Sequence, residues 1–315
     1  MKPMNIFDLH CDTLMPVYID GYNLKSWNGH INLDKLRKGG SMVQCFAIYI
    51  PTNRSAEYHN VHEGPYEYWK GCVDAFDKEM AANADVIRQV RCVADIEKNV
   101  KEGKMSALLT IENGVALDGK IERVQEFYDR GARMIGLTWN YENCVATPAS
   151  KDATTGLKPF GREAVREMQR LKMAVDVSHL NEKGFYELLE MGIVPLASHS
   201  CCRKLCDHVR NLTDDQLKEL FRAGGYVGVN FYPLFLRKEG KADLQDVCDH
   251  VIHMLEMGGE GKIGFGSDFD GITTKITGLE HAGQHQNLVN ELLKYYSEDD
   301  VRGFAYQNFL NHLPK

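Results

Sequence analysis

The strongest constraint on the fold is a regular alternation of short apolar segments with segments of helical periodicity. Eight segments of six to eight residues have the composition of buried strands. These predicted strands cover residues 5–12, 43–50, 106–112, 133–139, 174–179, 194–199, 226–231 and 263–268. Predicted helices cover residues 66–89, 121–130, 162–171, 182–191, 213–223 and 244–257. Strands that alternate with helices in this way are typical of parallel βαβ units.

Eight such units predict a (β/α)8 TIM-type barrel, an α/β fold, in a single domain over residues 1–315. A polar and aromatic insertion, residues 52–69, follows the second strand, and the chain ends in helices over residues 286–313 with a break near Ser297. Thr213 and Gln216 have the spacing of a helix-capping box. A doubly wound open sheet is the alternative fold, because strand number alone does not separate the two.

Charge and composition argue against several classes of partner. The net charge is −7 and the lysines and arginines are scattered, so we expect no nucleic-acid partner. No run approaches the ~20 apolar residues that a membrane span needs, and we expect no membrane association. Residues 1–5 lead directly into the first predicted strand, so we expect no signal peptide and a cytoplasmic location. The nine cysteines are irregularly spaced, which predicts mostly free, buried thiols.

Residue types that commonly bind metal ions stand at the ends of several predicted strands. His10 and Asp12 are two positions apart on a strand, so their side chains point to the same face. The other strand ends carry Glu112, His179, His199 and Asp268. In a barrel the carboxyl ends of the strands build the active site. This placement predicts that the six side chains meet in one site.

Each residue alone also has a structural explanation. Glu112 could cap the next helix, His179 could be a hydrogen-bonded core histidine, and Asp268 could hold a turn. Together they favour a metal site, and they exceed the four ligands of one tetrahedral zinc.

Two ions bridged by Glu112 fit the set better, with His10 and Asp12 on one ion and His179 and His199 on the other. We expect a metal-bridging hydroxide as nucleophile and Asp268 as general base.

The sequence resembles the renal (membrane) dipeptidase family, peptidase family M19, of the metal-dependent hydrolase superfamily. Matching blocks run in order along the chain: Asp8-Leu9-His10-Cys11-Asp12-Thr13, Gly29-His30-Ile31-Asn32-Leu33, Glu112-Asn113-Gly114, Asp176-Val177-Ser178-His179, Ser198-His199-Ser200, Arg210-Asn211-Leu212-Thr213-Asp214-Asp215, Gly266-Ser267-Asp268-Phe269-Asp270-Gly271 and Asn308-Phe309-Leu310. The resemblance implies a (β/α)8 barrel with two Zn2+ per chain that hydrolyses dipeptides, often with a D-residue at the C-terminal side. By family analogy we also expect a homodimer.

The resemblance also implies a role for each matched residue. The metal ligands would be His10, Asp12, Glu112, His179 and His199. Asp268 would be the proton shuttle, and Arg210 would bind the free carboxylate of the substrate, which suits a planar guanidinium.

One position departs from the family pattern. Animal members carry a histidine that helps to polarise the scissile carbonyl, and Trp139 occupies its place. An indole N–H donates one hydrogen bond and carries no charge. Asn140 and Tyr232 are the candidates to assist in substrate binding.

Three functional hypotheses remain at this point. The first is a dinuclear zinc dipeptidase. The second is an amidohydrolase of the same fold that acts on N-acyl amino acids or other amides. The third is a catalytically silent barrel that binds metal. The sequence leaves the native metal open, because histidine and carboxylate ligands also take manganese or cobalt.

Overall fold

The structure is a computed structural model that describes residues 3–52, 61, 63–151 and 153–313. Within these residues nine strands form one parallel sheet. The strands are β1 (Ile6–Asp8), β2 (Ser41–Tyr49), β3 (Ile87–Val90), β4 (Met105–Glu112), β5 (Ala132–Gly136), β6 (Ala174–Asp176), β7 (Pro195–Ser200), β8 (Tyr226–Val229) and β9 (Ile263–Phe265).

The sheet closes into a barrel. β1 pairs with both β2 and β9, β2 pairs with β4, and the strands from β4 to β9 pair in chain order. The ring therefore has eight parallel strands, which confirms the predicted (β/α)8 barrel. The open-sheet alternative is wrong, because an open sheet leaves its first and last strands unpaired on one side.

Helices follow the strands around the barrel. They are α1 (Leu14–Ile19), α2 (Leu33–Gly39), α3 (Pro65–Ala82), α4 (Val93–Lys101), α5 (Glu122–Asp129), α6 (Pro159–Arg170), α7 (Glu182–Glu190), α8 (Asp214–Arg222), α9 (Pro233–Leu236), α10 (Leu244–Glu256), α11 (His285–Leu292), α12 (Glu298–Arg302) and α13 (Asn308–Leu310). Thr213 and Gln216 form the predicted capping box at the start of α8. Ser297 caps α12, which explains the break predicted there. None of the helices in the described part of the chain is long and apolar enough to cross a membrane.

The helix predicted over residues 66–89 is wrong over its last seven residues, 83–89. α3 ends at Ala82, and the Asn83 side chain donates a hydrogen bond to the Glu79 carbonyl at 2.8 Å. Ile87 and Val90, which continue the apolar pattern, are buried in the short strand β3. β3 pairs with the first half of β4, while β5 pairs with its second half. Sheet pairing has overridden helical periodicity here.

The predicted insertion after the second strand is described only in part. α3 begins at Pro65, a residue that suits the first turn of a helix because it has no N–H to leave unpaired. The last five residues of the insertion are therefore helical. Residues 53–60 and 62 lie outside the described residues.

The strands are buried on both faces, as parallel strands covered by helices must be. All eight residues of β4 are buried. Aromatic side chains fill the space between barrel and helices, where Trp69 of α3 packs against Phe127 of α5 with ring centroids 4.1 Å apart. This rigid frame holds the carboxyl ends of the strands in fixed positions.

Candidate active site

The six predicted site residues converge at the carboxyl end of the barrel. His10 and Asp12 stand two and four residues beyond the end of β1, so the strand is shorter than predicted. Glu112 is the last residue of β4, and His199 lies within β7. His179 and Asp268 each stand three residues beyond the end of a strand. Five of the six side chains are buried, and Asp268 is partly exposed to the cavity above the barrel.

Glu112 lies at the centre of the cluster and its two oxygens face different partners. Oε2 is 3.5 Å from His10 Nε2. Oε1 is 2.8 Å from His179 Nε2 and 3.7 Å from His199 Nε2. A carboxylate in this position has the arrangement of a bridge between two ligand groups.

The first ligand group contains His10, Asp12 and Asp268. His10 Nε2 is 3.4 Å from Asp12 Oδ2 and 3.8 Å from Asp268 Oδ1. His10 Nε2 and Asp12 Oδ1 are buried and have no hydrogen-bond partner among the described residues. Buried polar atoms without partners are costly, and a cation between them would remove that cost.

The second ligand group contains His179 and His199. Their Nε2 atoms are 3.2 Å apart, and both face Glu112. The remaining ring nitrogens point away from the site: His179 Nδ1 is 3.1 Å from Asn140 Oδ1, and His199 Nδ1 is 2.7 Å from Ser198 Oγ. A histidine that donates from Nδ1 keeps its Nε2 lone pair for a metal.

These donor sets fit divalent metal ions. Candidate ligand atoms of His10, Glu112 and His199 lie within 4.8 Å of one another, as do those of His10, Asp12 and Asp268. Imidazole nitrogens together with carboxylates are the ligands of zinc and similar transition metals.

The pKa shifts of Glu112 and His10 also favour a metal site. Burial raises the pKa of Glu112 to about 7, and the negative charge of Asp12 adds to the effect. For His10, burial favours the neutral ring, but Asp12 and Glu112 outweigh it and hold the pKa well above its usual value. Without metal the cluster therefore retains protons that bound cations would displace.

His179 and His199 behave differently from His10. Burial lowers the pKa of both rings well below the usual value, and the positive charge of Arg210 adds to this shift. They are therefore neutral at physiological pH, which is the form that ligates a metal.

Asp268 has an unusual backbone conformation and accepts a hydrogen bond from a neighbouring asparagine. Its φ is 64°, in the left-handed region that side chains other than glycine rarely adopt. Asn230 Nδ2 donates to Asp268 Oδ2 at 2.9 Å. Burial raises the pKa of Asp268, and Asp12 adds to it while His10, Asn230 and Arg210 oppose it. Asn230 was not predicted as a site residue, although a polar residue near the end of the predicted strand 226–231 indicates a position at the active-site end of the barrel.

Arg210 is a buried cation that forms no salt bridge with any described residue, although the charges of Asp268 and Glu112 act on it from a distance. It is 5% exposed, and one NH2 group donates to the His199 carbonyl at 3.3 Å. Its Nε and NH1 atoms have no hydrogen-bond partner in the described part of the chain. The guanidinium lies 5.4 Å from the Phe235 ring centroid and lines the cavity.

The cavity above the cluster has a volume of ≈ 200 Å³. Trp139, Asn140 and Tyr232, the predicted substrate contacts, all line it. Its remaining walls are Asp12, Tyr49, Glu112, His179, Arg210, Phe235, Asp268, Gly271, Ile272 and Thr273. The Trp139 ring meets Tyr49 edge to face at 5.0 Å, whereas Asn140 is hydrogen-bonded to His179.

Comparison with known proteins identifies the family. The family model described as membrane dipeptidase, peptidase family M19, matches residues 1–315. An uncharacterized dipeptidase of Schizosaccharomyces pombe is 32% identical over 276 residues, covering 84% of this chain and 66% of that protein. A dipeptidase of Claviceps purpurea is 29% identical over 290 residues, covering 90% of this chain and 67% of that protein. The chain thus spans about two thirds of the length of these relatives.

A solved structure extends the similarity to the whole fold. The metallopeptidase of Rhodobacter sphaeroides, in complex with a phosphinate mimic of L-Ala-D-Ala, superposes with a TM-score of 0.88 and 26% identity. The match covers 98% of both chains. The chain belongs to the membrane dipeptidase family, peptidase family M19.

Proposed function

We propose that this protein is a metal-dependent dipeptidase that holds two Zn2+ ions through His10, Asp12, Glu112, His179 and His199. The divided orientation of the Glu112 oxygens and the unpartnered atoms of the first ligand group support this ligand set. Two bound ions would supply a nucleophilic water at neutral pH and would polarise the scissile carbonyl.

The observation that carries the substrate proposal is the buried Arg210. A guanidinium that forms no salt bridge with the described residues is expensive to bury, so the cavity suits an anion that would pair with it. A free α-carboxylate is planar and can accept two parallel N–H bonds from one edge of a guanidinium. The substrate is therefore a compound with a free carboxyl end, and a cavity of ≈ 200 Å³ limits it to a small molecule such as a dipeptide.

Asp268 is the proposed proton carrier. It lies in the cavity beside the ligand cluster, and its Oδ1 faces His10 while Oδ2 is held by Asn230. In hydrolysis Asp268 accepts a proton from the attacking water and donates it to the amide nitrogen as the peptide bond breaks. Its raised pKa brings it closer to the neutral range in which a group can do both.

Trp139 and Tyr232 are the proposed contacts for the rest of the substrate. Trp139 and Arg210 both line the cavity, and Trp139 forms an aromatic wall with Tyr49. Arg210 holds the carboxyl end, so the aromatic wall is left for a side chain. The Rhodobacter relative binds a mimic of L-Ala-D-Ala, and we propose that the present protein also accepts a C-terminal D-residue.

We further propose that the protein works in the cytoplasm. All nine cysteines are free and most of them are buried, which is usual for proteins of a reducing compartment. The homodimer expected from the family stays a prediction, and light scattering of the purified protein would test it.

The experiment is hydrolysis of a panel of L-L, L-D and N-acylated dipeptides by zinc-loaded wild type and by Asp268→Asn. We expect the wild type to cleave the free dipeptides and the variant to lose that activity by roughly 10²- to 10⁴-fold. Cleavage of N-acylated compounds alone would instead identify an amidohydrolase. Bound metal without any turnover would identify a silent barrel.

A further inference from the structure

We infer that Asp176 and Ser198 form a hydrogen-bonded relay that fixes the tautomer of His199 and so controls how tightly the second ligand group binds metal. The inference rests on the proposed function, because it assumes that His199 is a metal ligand. No role was predicted for Asp176 or Ser198, although both flank the predicted histidine ligands in the sequence.

Asp176 is a buried carboxylate surrounded by donors. Its Oδ1 accepts from the backbone N–H groups of Ser178 and Ser198, both at 3.0 Å, and from the Ser178 hydroxyl at 2.8 Å. Its Oδ2 accepts from the Ser198 hydroxyl at 2.6 Å. Four donors leave no acceptor for a proton on Asp176, so this residue acts as an acceptor throughout.

The positions of these protons then fix the tautomer of His199. Ser198 has one hydroxyl proton, and it points to Asp176. Ser198 Oγ is also 2.7 Å from His199 Nδ1, so at this contact the hydroxyl oxygen accepts and the ring nitrogen donates. His199 therefore carries its proton on Nδ1. Its Nε2 lone pair is then free and faces Glu112 Oε1 at 3.7 Å.

The two histidines of the second ligand group are supported unequally. His179 Nδ1 donates to the neutral amide oxygen of Asn140 at 3.1 Å, on the cavity wall. His199 is linked through Ser198 to a buried negative charge. Hydrogen bonding to a carboxylate makes a ligating imidazole more basic and holds its ring in place. His199 is therefore the more strongly supported ligand of the pair.

An isosteric substitution separates this role from a packing role. In Asp176→Asn the amide oxygen takes the Oδ1 position, because three donors converge there. The NH2 group then faces Ser198 and donates to its oxygen. The Ser198 proton then points either at His199 Nδ1, which becomes an acceptor, or at Ser178 Oγ, which is 3.1 Å away. In the first arrangement the His199 proton moves to Nε2 and blocks the metal-binding lone pair. In both arrangements the imidazole loses its link to a negative charge.

Ser178→Ala is the matched control. Ser178 is a buried serine that donates to the same carboxylate and accepts the His199 backbone N–H at 3.0 Å. Its Oγ is 3.1 Å from Ser198 Oγ, but it forms no hydrogen bond with the His199 ring. It shares the packing of Ser198 without the link to the imidazole.

The test is competition between each protein and a chelator for Zn2+, together with the visible absorption of the Co2+-substituted proteins, in the absence of substrate. We expect Asp176→Asn and Ser198→Ala to bind one of the two ions roughly 10- to 100-fold more weakly than wild type. Ser178→Ala should retain both affinities. Urea unfolding of the metal-free proteins should show that Asp176→Asn and Ser178→Ala remain folded.

Equal metal affinity in wild type and Asp176→Asn, or equal losses in Ser198→Ala and Ser178→Ala, would overturn the relay and leave the proposed function intact. A wild type that binds no metal would overturn both.

Discussion

Asn230 holds Asp268 in one orientation through a hydrogen bond of 2.9 Å from Nδ2 to Oδ2. The amide of Asn230 is itself oriented, because its Oδ1 accepts from the Tyr232 N–H at 2.6 Å. The Asn230 NH2 group must therefore face the carboxylate. This bond leaves Asp268 Oδ1 directed at the ligand cluster, where its partner His10 lies 3.8 Å away.

Asn230→Ala should lower kcat/KM for dipeptides by roughly 10- to 100-fold, because a displaced carboxylate transfers protons poorly. In an Asp268→Asn background the same change should have almost no further effect, because the group that Asn230 positions is already inactive. Steady-state kinetics of the two single variants and the double variant test this. Additive losses would show that Asn230 acts on something other than Asp268.

Arg210→Met should abolish the preference for a free carboxyl end. The wild type should cleave a dipeptide roughly 10²- to 10³-fold better than its C-terminal amide, since a buried, charge-assisted pair is lost with the amide. In the variant the ratio of the two kcat/KM values should approach one. A preference that survives the substitution would place the carboxylate elsewhere.

Gly271→Ala should damage the first ligand group. A methyl group at this position would lie 2.1 Å from Asp12 Oδ2 and 2.8 Å from Asp268 Oδ1, so the Asp12 carboxylate must move. We expect loss of one metal equivalent after dialysis and a fall in activity of about 10²-fold. Gly64→Ala is the control, because no atom of the described residues lies within 4 Å of a methyl group there. Full metal content in Gly271→Ala would contradict the proposed role of Asp12.

Trp139→Ala should widen the cavity beside Tyr49. We expect kcat/KM to rise for dipeptides with bulky side chains relative to those with small ones, by roughly 10-fold. Tyr141→Ala is the control variant. The Tyr141 and Trp139 ring centroids are 5.7 Å apart, but Tyr141 is not among the described residues that line the cavity. Competition assays with paired substrates measure the ratio. An unchanged ratio would mean that the indole wall does not contact the side chain.

His250 makes the fold sensitive to acid. It is buried and neutral, with Nδ1 accepting from the Cys202 N–H at 3.0 Å and Nε2 donating to the Leu236 carbonyl at 3.1 Å. Burial lowers its pKa from 6.5 to about 4. The unfolded chain therefore binds a proton at a higher pH than the folded one.

The contribution of neutral His250 to the free energy of unfolding is complete above pH 6.5. It declines by roughly 3 kcal/mol at most as the pH falls towards 4. Urea unfolding of the metal-free protein across this pH range should show the decline, and His250→Gln should reduce its slope. Equal slopes in the two proteins would assign acid sensitivity to other groups.

The barrel and the ligand cluster were predictable because both follow from position along the chain. Parallel strands deliver their last residues to one end of a barrel, so His10, Glu112 and His199 had to meet once the strands were recognised. β3 was missed because Ile87 and Val90 fit the helical pattern of α3, and only pairing with β4 reveals them as a strand.

The supporting residues could not be predicted in the same way. Asp176, Ser198 and Asn230 act through hydrogen bonds whose partners lie 22 and 38 residues away. Such contacts depend on side-chain orientation, which residue spacing does not encode. The significance of Arg210 came from family resemblance, because only its burial distinguishes it from an ordinary surface arginine.

The closure of the barrel also determines when the protein can become active during its synthesis. Asp8 of β1 accepts hydrogen bonds from Ser267, 259 residues later in the chain, and Asp268 completes the cluster that begins with His10. A nascent chain on the ribosome can fold its middle strands early, but β1 keeps one edge open until β9 emerges. Hydrolytic activity should therefore appear only after β9 and Asp268 have been translated and have left the ribosome.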